Sequence, residues 1–186
     1  MHRALFHRRQ LLALLGLCGL ARAQPLPPAK TGGYTEIRWE DLVPKNWDPM
    51  AGLKDRSMLG MLNDADPKSQ DLLRQMREAW DNAPTVPALD GTLVKLPGYL
   101  VPLDEGKAGI TEFLLVPYFG ACIHTPPPPA NQIVLVAPAK PLQGFHTMDT
   151  VWARGKLRAT RGDSPMGASG YRLEAALVDA YLAPAR

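Results

Sequence analysis

Residues 67–81 carry the clearest helical pattern of the chain. Apolar side chains recur there at helical spacing and fall on one face: Leu72, Leu73, Met76 and Trp80. Asp66 is suited to cap the N-terminus, Pro67 to the first helical position, and Pro84 lies just beyond the other end. We therefore predict one helix near 67–81, with its apolar face packed into the core.

After residue 90 the pattern becomes that of β-strands. Five apolar or alternating segments follow one another: GTLVKLPGYLVPLD, ITEFLLVPY, QIVLVAP, DTVWARGKLRATR and SGYRLEAALVDAYL. In the last segment Tyr171 and Leu173 alternate with charged residues, the period of a half-buried strand. Pro97-Gly98 predicts a bulge or bend in the first, and RGDSPMGASG predicts a turn between the last two. We expect five strands within residues 91–182.

The fold class that follows is mainly β with one N-terminal helix (α+β). Five short strands with little helix among them favour a small five-stranded OB-like barrel, with a β-sandwich as the alternative. Residues 35–186 are predicted to form a single β-rich domain. A Pro/Gly-rich lead-in, residues 24–34, precedes it, and Trp39 and Trp47 are expected to anchor this lead-in to the domain.

The first 23 residues have the three parts of a secretory signal peptide. A basic stretch, MHRALFHRRQ, is followed by the apolar run LLALLGLCGL and by small residues at Ala21 and Ala23. We predict cleavage after Ala23 and a periplasmic mature chain. Arg8-Arg9 leaves the route open between general secretion (Sec) and twin-arginine export.

Removing the predicted signal peptide changes the formal charge of the chain. The full chain has 21 basic and 18 acidic residues; without the four arginines of residues 1–23 the mature chain has 17 and 18, a formal charge of −1. No basic patch argues for nucleic acid. The ten-residue apolar run is too short to span a bilayer, and no second run predicts a span in the mature chain.

Every cysteine and histidine of the predicted mature chain lies within one stretch. These residues are Cys122, His124 and His146, because Cys18, His2 and His7 leave with the signal peptide. On an extended segment Cys122 and His124 point to the same side and could bind one zinc ion, or copper in a more strained site. His146 is the candidate third ligand, and Asp149 or Glu112 the fourth.

Two other interpretations of Cys122 stay open. A lone cysteine is often a small buried apolar residue, and His124 could then bond to the backbone without a ligand. The thiol could instead be reactive or redox-active if a cationic neighbour lowered its pKa, although the sequence offers no C-x-x-C partner.

A run of four prolines follows directly: Pro126, Pro127, Pro128 and Pro129. Proline fixes φ and favours an extended polyproline II segment. Such a rod can hold Cys122 and His124 rigidly, or it can be the ligand of an aromatic groove on another protein. We expect it to pack against Tyr118 and Phe119, with Asn131 and Gln132 bonding to its free carbonyls.

Motifs of catalysis give little support to an enzyme. The chain has no G-x-S-x-G, no H-E-x-x-H and no phosphate-binding loop. The tripeptide RGD at residues 161–163 is interpreted as turn chemistry rather than as an adhesion motif. A non-enzymatic role is therefore favoured.

Three segments carry a resemblance to a known family. LPGYLVPLD, EFLLVPYFGACIHTPPPPANQIV and GYRLEA together resemble the exported bacterial proteins of the domain of unknown function 3299 (DUF3299) family, over residues 35–182. The resemblance implies an exported leader, a small β domain and a cysteine–histidine–polyproline loop. It further implies periplasmic or inner-membrane partners from ABC-type transport or lipoprotein-handling systems, some of them tied to zinc supply.

Three functional hypotheses follow. The first is an exported periplasmic accessory or binding protein that binds zinc. The second is a thiol-dependent redox protein or enzyme that uses Cys122. The third is a protein-docking module that presents the polyproline loop.

Overall fold

The computed structural model describes residues 30–31, 33–50, 67–104, 106–121 and 127–181. These ranges contain one α-helix, α1 (Pro67–Asp81), and nine strands: β1 (Lys30–Thr31), β2 (Tyr34–Glu36), β3 (Leu93–Pro102), β4 (Phe113–Val116), β5 (Val134–Pro138), β6 (Thr150–Arg158), β7 (Gly162–Ser164), β8 (Gly167–Ser169) and β9 (Tyr171–Ala180). Short 3₁₀ turns occupy Trp39–Leu42, Pro87–Leu89 and Ala130–Gln132.

Five of these strands close into a barrel. Their order is β3-β4-β5-β9-β6, and β6 pairs again with β3. All neighbours are antiparallel except β5 and β9, which are parallel. Counted along the chain, this is the order first-second-third-fifth-fourth of an OB-type barrel. The predicted barrel is confirmed, and each of its five strands lies within a predicted segment.

The barrel interior is filled by every second residue of its strands. On β3 the alternation turns Val94, Leu96 and Leu100 inward, where they are at most 1% exposed. Side chains from the other four strands complete this inner core: Phe113, Leu115, Val134, Val136, Val151, Leu157, Tyr171 and Leu173. Burial of this apolar surface, about 25 cal/mol per Å², is the main stabilising contribution.

β3 runs through Pro97 and Gly98 without the predicted bulge. Its pairing with β6 continues in unbroken register from Leu93 to Tyr99. A Cβ on Gly98 would lie 2.8 Å from the Leu115 Cγ and 2.9 Å from the Val116 carbonyl oxygen. Glycine is therefore required because β4 passes too close for a side chain, and not because the strand is interrupted.

The helix lies where the sequence predicts it, but its packing differs. Leu73, Met76 and Trp80 are only half-buried and, with Pro127, border a cavity of about 130 Å³ instead of joining the inner core. The Trp80 indole N–H donates to the Pro49 carbonyl at 3.1 Å. The predicted cap residue, Asp66, lies outside the described residues.

The segment RGDSPMGASG forms more than a turn. It contains the hairpin β7–β8, closed by a hydrogen bond from the Ser164 hydroxyl to the Gly167 carbonyl at 2.8 Å. The Arg161 guanidinium donates to the Asp81 carbonyl at the end of α1 and lies 2.8 Å from the Asp163 carboxylate. The arginine of the RGD tripeptide is thus bound within its own chain.

Both tryptophans of the segment after β2 contact the body of the domain; the lead-in that they were predicted to anchor lies mostly outside the described residues. The Trp39 indole N–H donates to the Pro97 carbonyl at 2.8 Å, and Trp47 packs against a small cluster of buried alanines: Ala83, Ala130 and Ala168. Within the described ranges the longest helix has 15 residues, and no helix there is long and apolar enough to cross a membrane.

Candidate functional site

A second group of buried side chains lies on the outside of the barrel. Along β4, Phe113 and Leu115 belong to the inner core, whereas Leu114 and Val116 belong to this other group. We call it the outer cluster: Val101, Leu114, Val116, Ala121, Ile133 and Leu135, with Tyr99, Leu103, Met148 and Met166 packed against it. In OB folds this face of the second and third strands binds oligonucleotides or sugars. Here it is apolar and buried.

The cysteine–histidine–proline loop is anchored on the outer cluster at both ends. Ala121, directly before Cys122, and Ile133, after the prolines, are fully buried members of it. Cys122, His124 and Pro126 themselves lie outside the described residues. The structure therefore fixes where the loop starts and where it ends.

His146 lies in a tight turn that precedes β6. The Asp149 N–H donates to the His146 carbonyl at 3.1 Å, and the Asp149 carboxylate accepts the His146 backbone N–H at 2.8 Å. The imidazole is 83% exposed, with its Nδ1 atom 3.8 Å from the same carboxylate. The ring of His146 is therefore accessible to a ligand and has an acidic neighbour.

Met148 connects this turn to the start of the loop. Its sulfur accepts the Gly120 N–H at 3.4 Å, two residues before Cys122. Its own N–H donates to the Leu100 carbonyl at 2.7 Å. Met148 has φ +68° and Gly120 has φ +83°, and a left-handed conformation is strained for a residue other than glycine. The surrounding contacts hold both residues in these conformations.

The strand register explains why the two segments meet. Tyr99 of β3 pairs with Val116 at the end of β4 and with Thr150 at the start of β6. The chain after β4 and the chain before β6 thus leave the barrel beside the same residue. The Tyr99 ring contacts Phe119 edge to face, with ring centroids 5.9 Å apart.

The described prolines pack on the body of the domain, but at a different place from the predicted one. Pro127 Cβ lies 3.2 Å from the position that a Cβ on Gly167 would occupy. Pro127 also borders a cavity of about 410 Å³ between α1 and the β7–β8 hairpin, and Pro128 is buried. Tyr118 and Phe119, the expected packing partners, are 46% and 68% exposed.

The Asn131 side chain bonds to a carbonyl outside the proline run, whereas a carbonyl within the run was predicted. Its side-chain amide donates to the Pro84 carbonyl at 3.0 Å, which joins the loop to the segment after α1. Asn131 is fully buried, and its Oδ1 atom accepts no hydrogen bond from the described residues. Of the proline carbonyls, that of Pro129 accepts the backbone N–H of Gln132 at 2.7 Å.

The two candidate fourth ligands both have protein partners. The Glu112 carboxylate lies 3.1 Å from the Arg172 guanidinium, and Asp149 is bonded to the His146 backbone. In the part of the chain that the structure describes, no three His, Cys, Asp or Glu side chains gather closely enough to hold an ion. Cys122 and His124, the other predicted ligands, lie outside this part of the chain.

An acidic side chain organises the loop between β3 and β4. The Thr111 hydroxyl and the backbone N–H of Glu112 donate to Asp104 and hold the pKa of that carboxyl below its ordinary value. The backbone N–H of Thr111 donates to the same carboxylate at 3.0 Å. Asp104 thus fixes the chain as it enters β4.

Sequence reasoning missed Met148 and Tyr99. Neither a left-handed methionine nor a residue shared by two strand pairings leaves a pattern in hydropathy or spacing. Gly120 offered a weak signal, since an isolated glycine before a loop commonly marks a positive φ.

Comparison with known proteins agrees with this architecture. The sequence profile of the family described as "Protein of unknown function (DUF3299)" matches residues 39–180. The crystal structure of a DUF3299 family protein (PA4066) from Pseudomonas aeruginosa PAO1 is 40% identical, with a TM-score of 0.65, over 83% of this chain and 100% of that one. No curated protein matches the chain. With most of its length matched by the profile and by this relative, the chain belongs to the DUF3299 family.

Proposed function

We propose that this chain is an exported periplasmic accessory or binding protein that holds one zinc ion between Cys122, His124 and His146. A single contact carries the proposal: the Met148 sulfur accepts the Gly120 N–H at 3.4 Å. This bond holds the turn of His146 beside the chain that leads into Cys122. Gly120 and Met148, 28 positions apart in sequence, are thereby adjacent, which supports a site between the two segments.

The donor set suits zinc. One thiolate and two neutral imidazoles are frequent zinc ligands, and three protein ligands leave a fourth position for water or another group. Asp149 fits an orienting role better than a ligand role, because its carboxylate already accepts the His146 N–H and lies beside Nδ1. Carboxylates that orient a ligating histidine are a regular feature of zinc sites.

The proline run fits a scaffold for this site. Pro127 packs on Gly167 and Pro128 is buried, so this part of the run has little surface left for an aromatic groove on another protein. The outer cluster anchors both ends of the loop, and Pro127 is held in addition beside α1 and the β7–β8 hairpin. This arrangement favours a scaffold over a docking module.

The location and partners follow from the N-terminal pattern and from the family resemblance. The signal-peptide pattern of residues 1–23 supports action in the periplasm. Binding of a metal ion there fits an accessory role beside an ABC-type transport or lipoprotein-handling system. The partners would then be periplasmic or inner-membrane transport proteins.

Calorimetry on untagged mature protein, combined with elemental analysis, tests the zinc site. We expect one zinc per chain with a dissociation constant below about 10 μM, and weaker binding as the pH falls because the ligands become protonated. Cys122→Ser/His124→Ala and His146→Ala should each weaken binding at least about tenfold. Thr147→Ala is the matched control, because Thr147 lies in the same turn but has no imidazole. This variant should bind zinc like the wild type.

Two results would overturn the zinc site. One is equal affinity of the wild type and the Cys122→Ser/His124→Ala variant. The other is no zinc binding by the wild type below about 10 μM.

A thiol reagent then separates the remaining hypotheses. Fast reaction of Cys122 well below pH 8.5, the ordinary pKa range of a free thiol, favours the redox protein. Reaction after denaturation alone favours a buried structural cysteine.

A further inference from the structure

A shallow aromatic groove lies on the outer surface where β3 meets β6. Three aromatic side chains form its walls: Trp39, Tyr99 and Tyr181. Pro97 and Pro117 also line the groove, and its volume is about 190 Å³. It adjoins the His146 turn through Thr150, and its described lining residues include none of the proposed zinc ligands.

Each aromatic wall of the groove is held by a contact with a neighbouring group. The Trp39 ring is fixed because its N–H donates to the Pro97 carbonyl. The Tyr99 ring is supported by Phe119. Tyr181 lies against Trp152, with ring centroids 5.2 Å apart. Grooves with aromatic walls bind extended proline-rich segments.

We propose that this groove binds the chain's own proline-rich lead-in, residues 24–29 (QPLPPA). These residues lie outside the described ranges and directly precede β1. The occupant is thus a segment of the same molecule, and the groove is an intramolecular docking surface.

The register of β1 directs the lead-in toward the groove. β1 is antiparallel to β2, with Lys30 opposite Thr35 and Thr31 opposite Tyr34. Because the two strands are antiparallel, the chain that precedes Lys30 leaves them at the end where β2 continues toward Trp39. Six residues of extended chain span up to about 20 Å, which is long enough for residues 24–29 to reach the Trp39 wall.

The composition of the lead-in suits this place. Pro25, Pro27 and Pro28 favour polyproline II, which loses little conformational entropy on binding and presents ring faces to aromatic side chains. Proline also has no N–H, so it is tolerated on the outer edge of a sheet, where a backbone donor would lack a strand partner.

Nuclear magnetic resonance on the chain from Gln24 to Arg186, which includes every described element, tests the proposal. In dilute solution we expect nuclear Overhauser contacts from the side chains of Pro25, Leu26 and Pro27 to the rings of Trp39 and Tyr181. Replacing Pro25, Pro27 and Pro28 together by alanine should shift the amide resonances of Tyr99, Thr150 and Tyr181. The control Pro141→Ala, at an exposed proline outside the groove, should leave them in place.

A variant of the groove itself gives a second readout. Tyr181→Ala should remove the contacts, whereas Tyr118→Ala, outside the groove, should keep them. The proposal is overturned if residues 24–29 show random-coil shifts and no contacts in the wild type. It is equally overturned if the contacts arise only between differently labelled molecules, since the occupant would then be the lead-in of a second copy.

Discussion

At the scale of single residues, Tyr171 joins three separate parts of the chain through one hydroxyl group. The hydroxyl accepts the Val86 N–H at 2.6 Å and donates to the Leu42 carbonyl at 2.7 Å. Tyr171 itself is fully buried on β9. Burial raises the pKa of this hydroxyl, and the hydrogen bond from Val86 opposes that effect. The N-terminal segment and the segment after α1 are thus both tied to the barrel.

Tyr171→Phe tests this connection. The substitution leaves a buried N–H and a buried carbonyl without their partner, which should lower the free energy of unfolding by about 1–3 kcal/mol. Urea denaturation measures the change. Tyr34→Phe, at a half-buried tyrosine on β2, is the control and should change it by less than about 0.5 kcal/mol. Equal stability of wild type and Tyr171→Phe would mean that the two hydrogen bonds contribute nothing.

Asp104 gives a prediction for pH dependence. Because its folded-state pKa lies below the ordinary value, its contribution is present above about pH 3.9 and is lost as the pH falls through the folded pKa. Asp104→Ala should therefore lower the urea midpoint near neutral pH, and the gap to wild type should close in acid. A gap that stays constant across this range would contradict the assigned hydrogen bonds.

The residues of the candidate site were predictable in type but not in arrangement. The sequence shows that Cys122, His124 and His146 are the cysteine and histidines left after the predicted cleavage. It does not show that Met148 holds the His146 turn to Gly120, because that contact depends on the pairing of β3 with both β4 and β6.

At the scale of elements, apolar runs and, in the last segment, period-two alternation predicted the five barrel strands, and helical spacing predicted α1. The helix's position was predictable because it depends on local pattern. Its packing was not, because amphipathic spacing does not tell whether an apolar face enters the main core or borders a surface cavity, as Leu73 and Met76 do. The β7–β8 hairpin was missed because its strands are short and rich in glycine and serine.

Gly98→Ala tests the close approach of β3 and β4. A Cβ there meets Leu115 and the Val116 backbone at under 3 Å, and overpacking of this kind costs about 1–3 kcal/mol. Gly106→Ala is a matched control, since its nearest atom is 4.0 Å away. Thermal or urea unfolding should show a loss for Gly98→Ala and little change for the control. Similar effects of both variants would argue against a close crossing at Gly98.

At the scale of the whole molecule, the proposed function combines a predicted export signal with a proposed metal site on a closed barrel. The barrel's OB-like outer face is filled by apolar side chains of the same chain. The proposed function therefore uses a different part of the surface, where the His146 turn adjoins the aromatic groove at Thr150.

Export predicts a defined start of the mature protein. Mass spectrometry of the protein from its native host should find a chain that begins at Gln24 in the periplasmic fraction. Protein that retains residues 1–23 and fractionates with the cytoplasm would contradict the predicted signal peptide, and with it the periplasmic role.

X-ray absorption at the zinc edge gives the most stringent test of the proposed zinc site. Mature protein loaded with one equivalent of zinc should show one sulfur neighbour at about 2.3 Å and nitrogen neighbours at about 2.0 Å. His146→Ala should lose one nitrogen and keep the sulfur. A first shell of oxygen and nitrogen without sulfur, or a spectrum unchanged by His146→Ala, would contradict a site built from Cys122, His124 and His146.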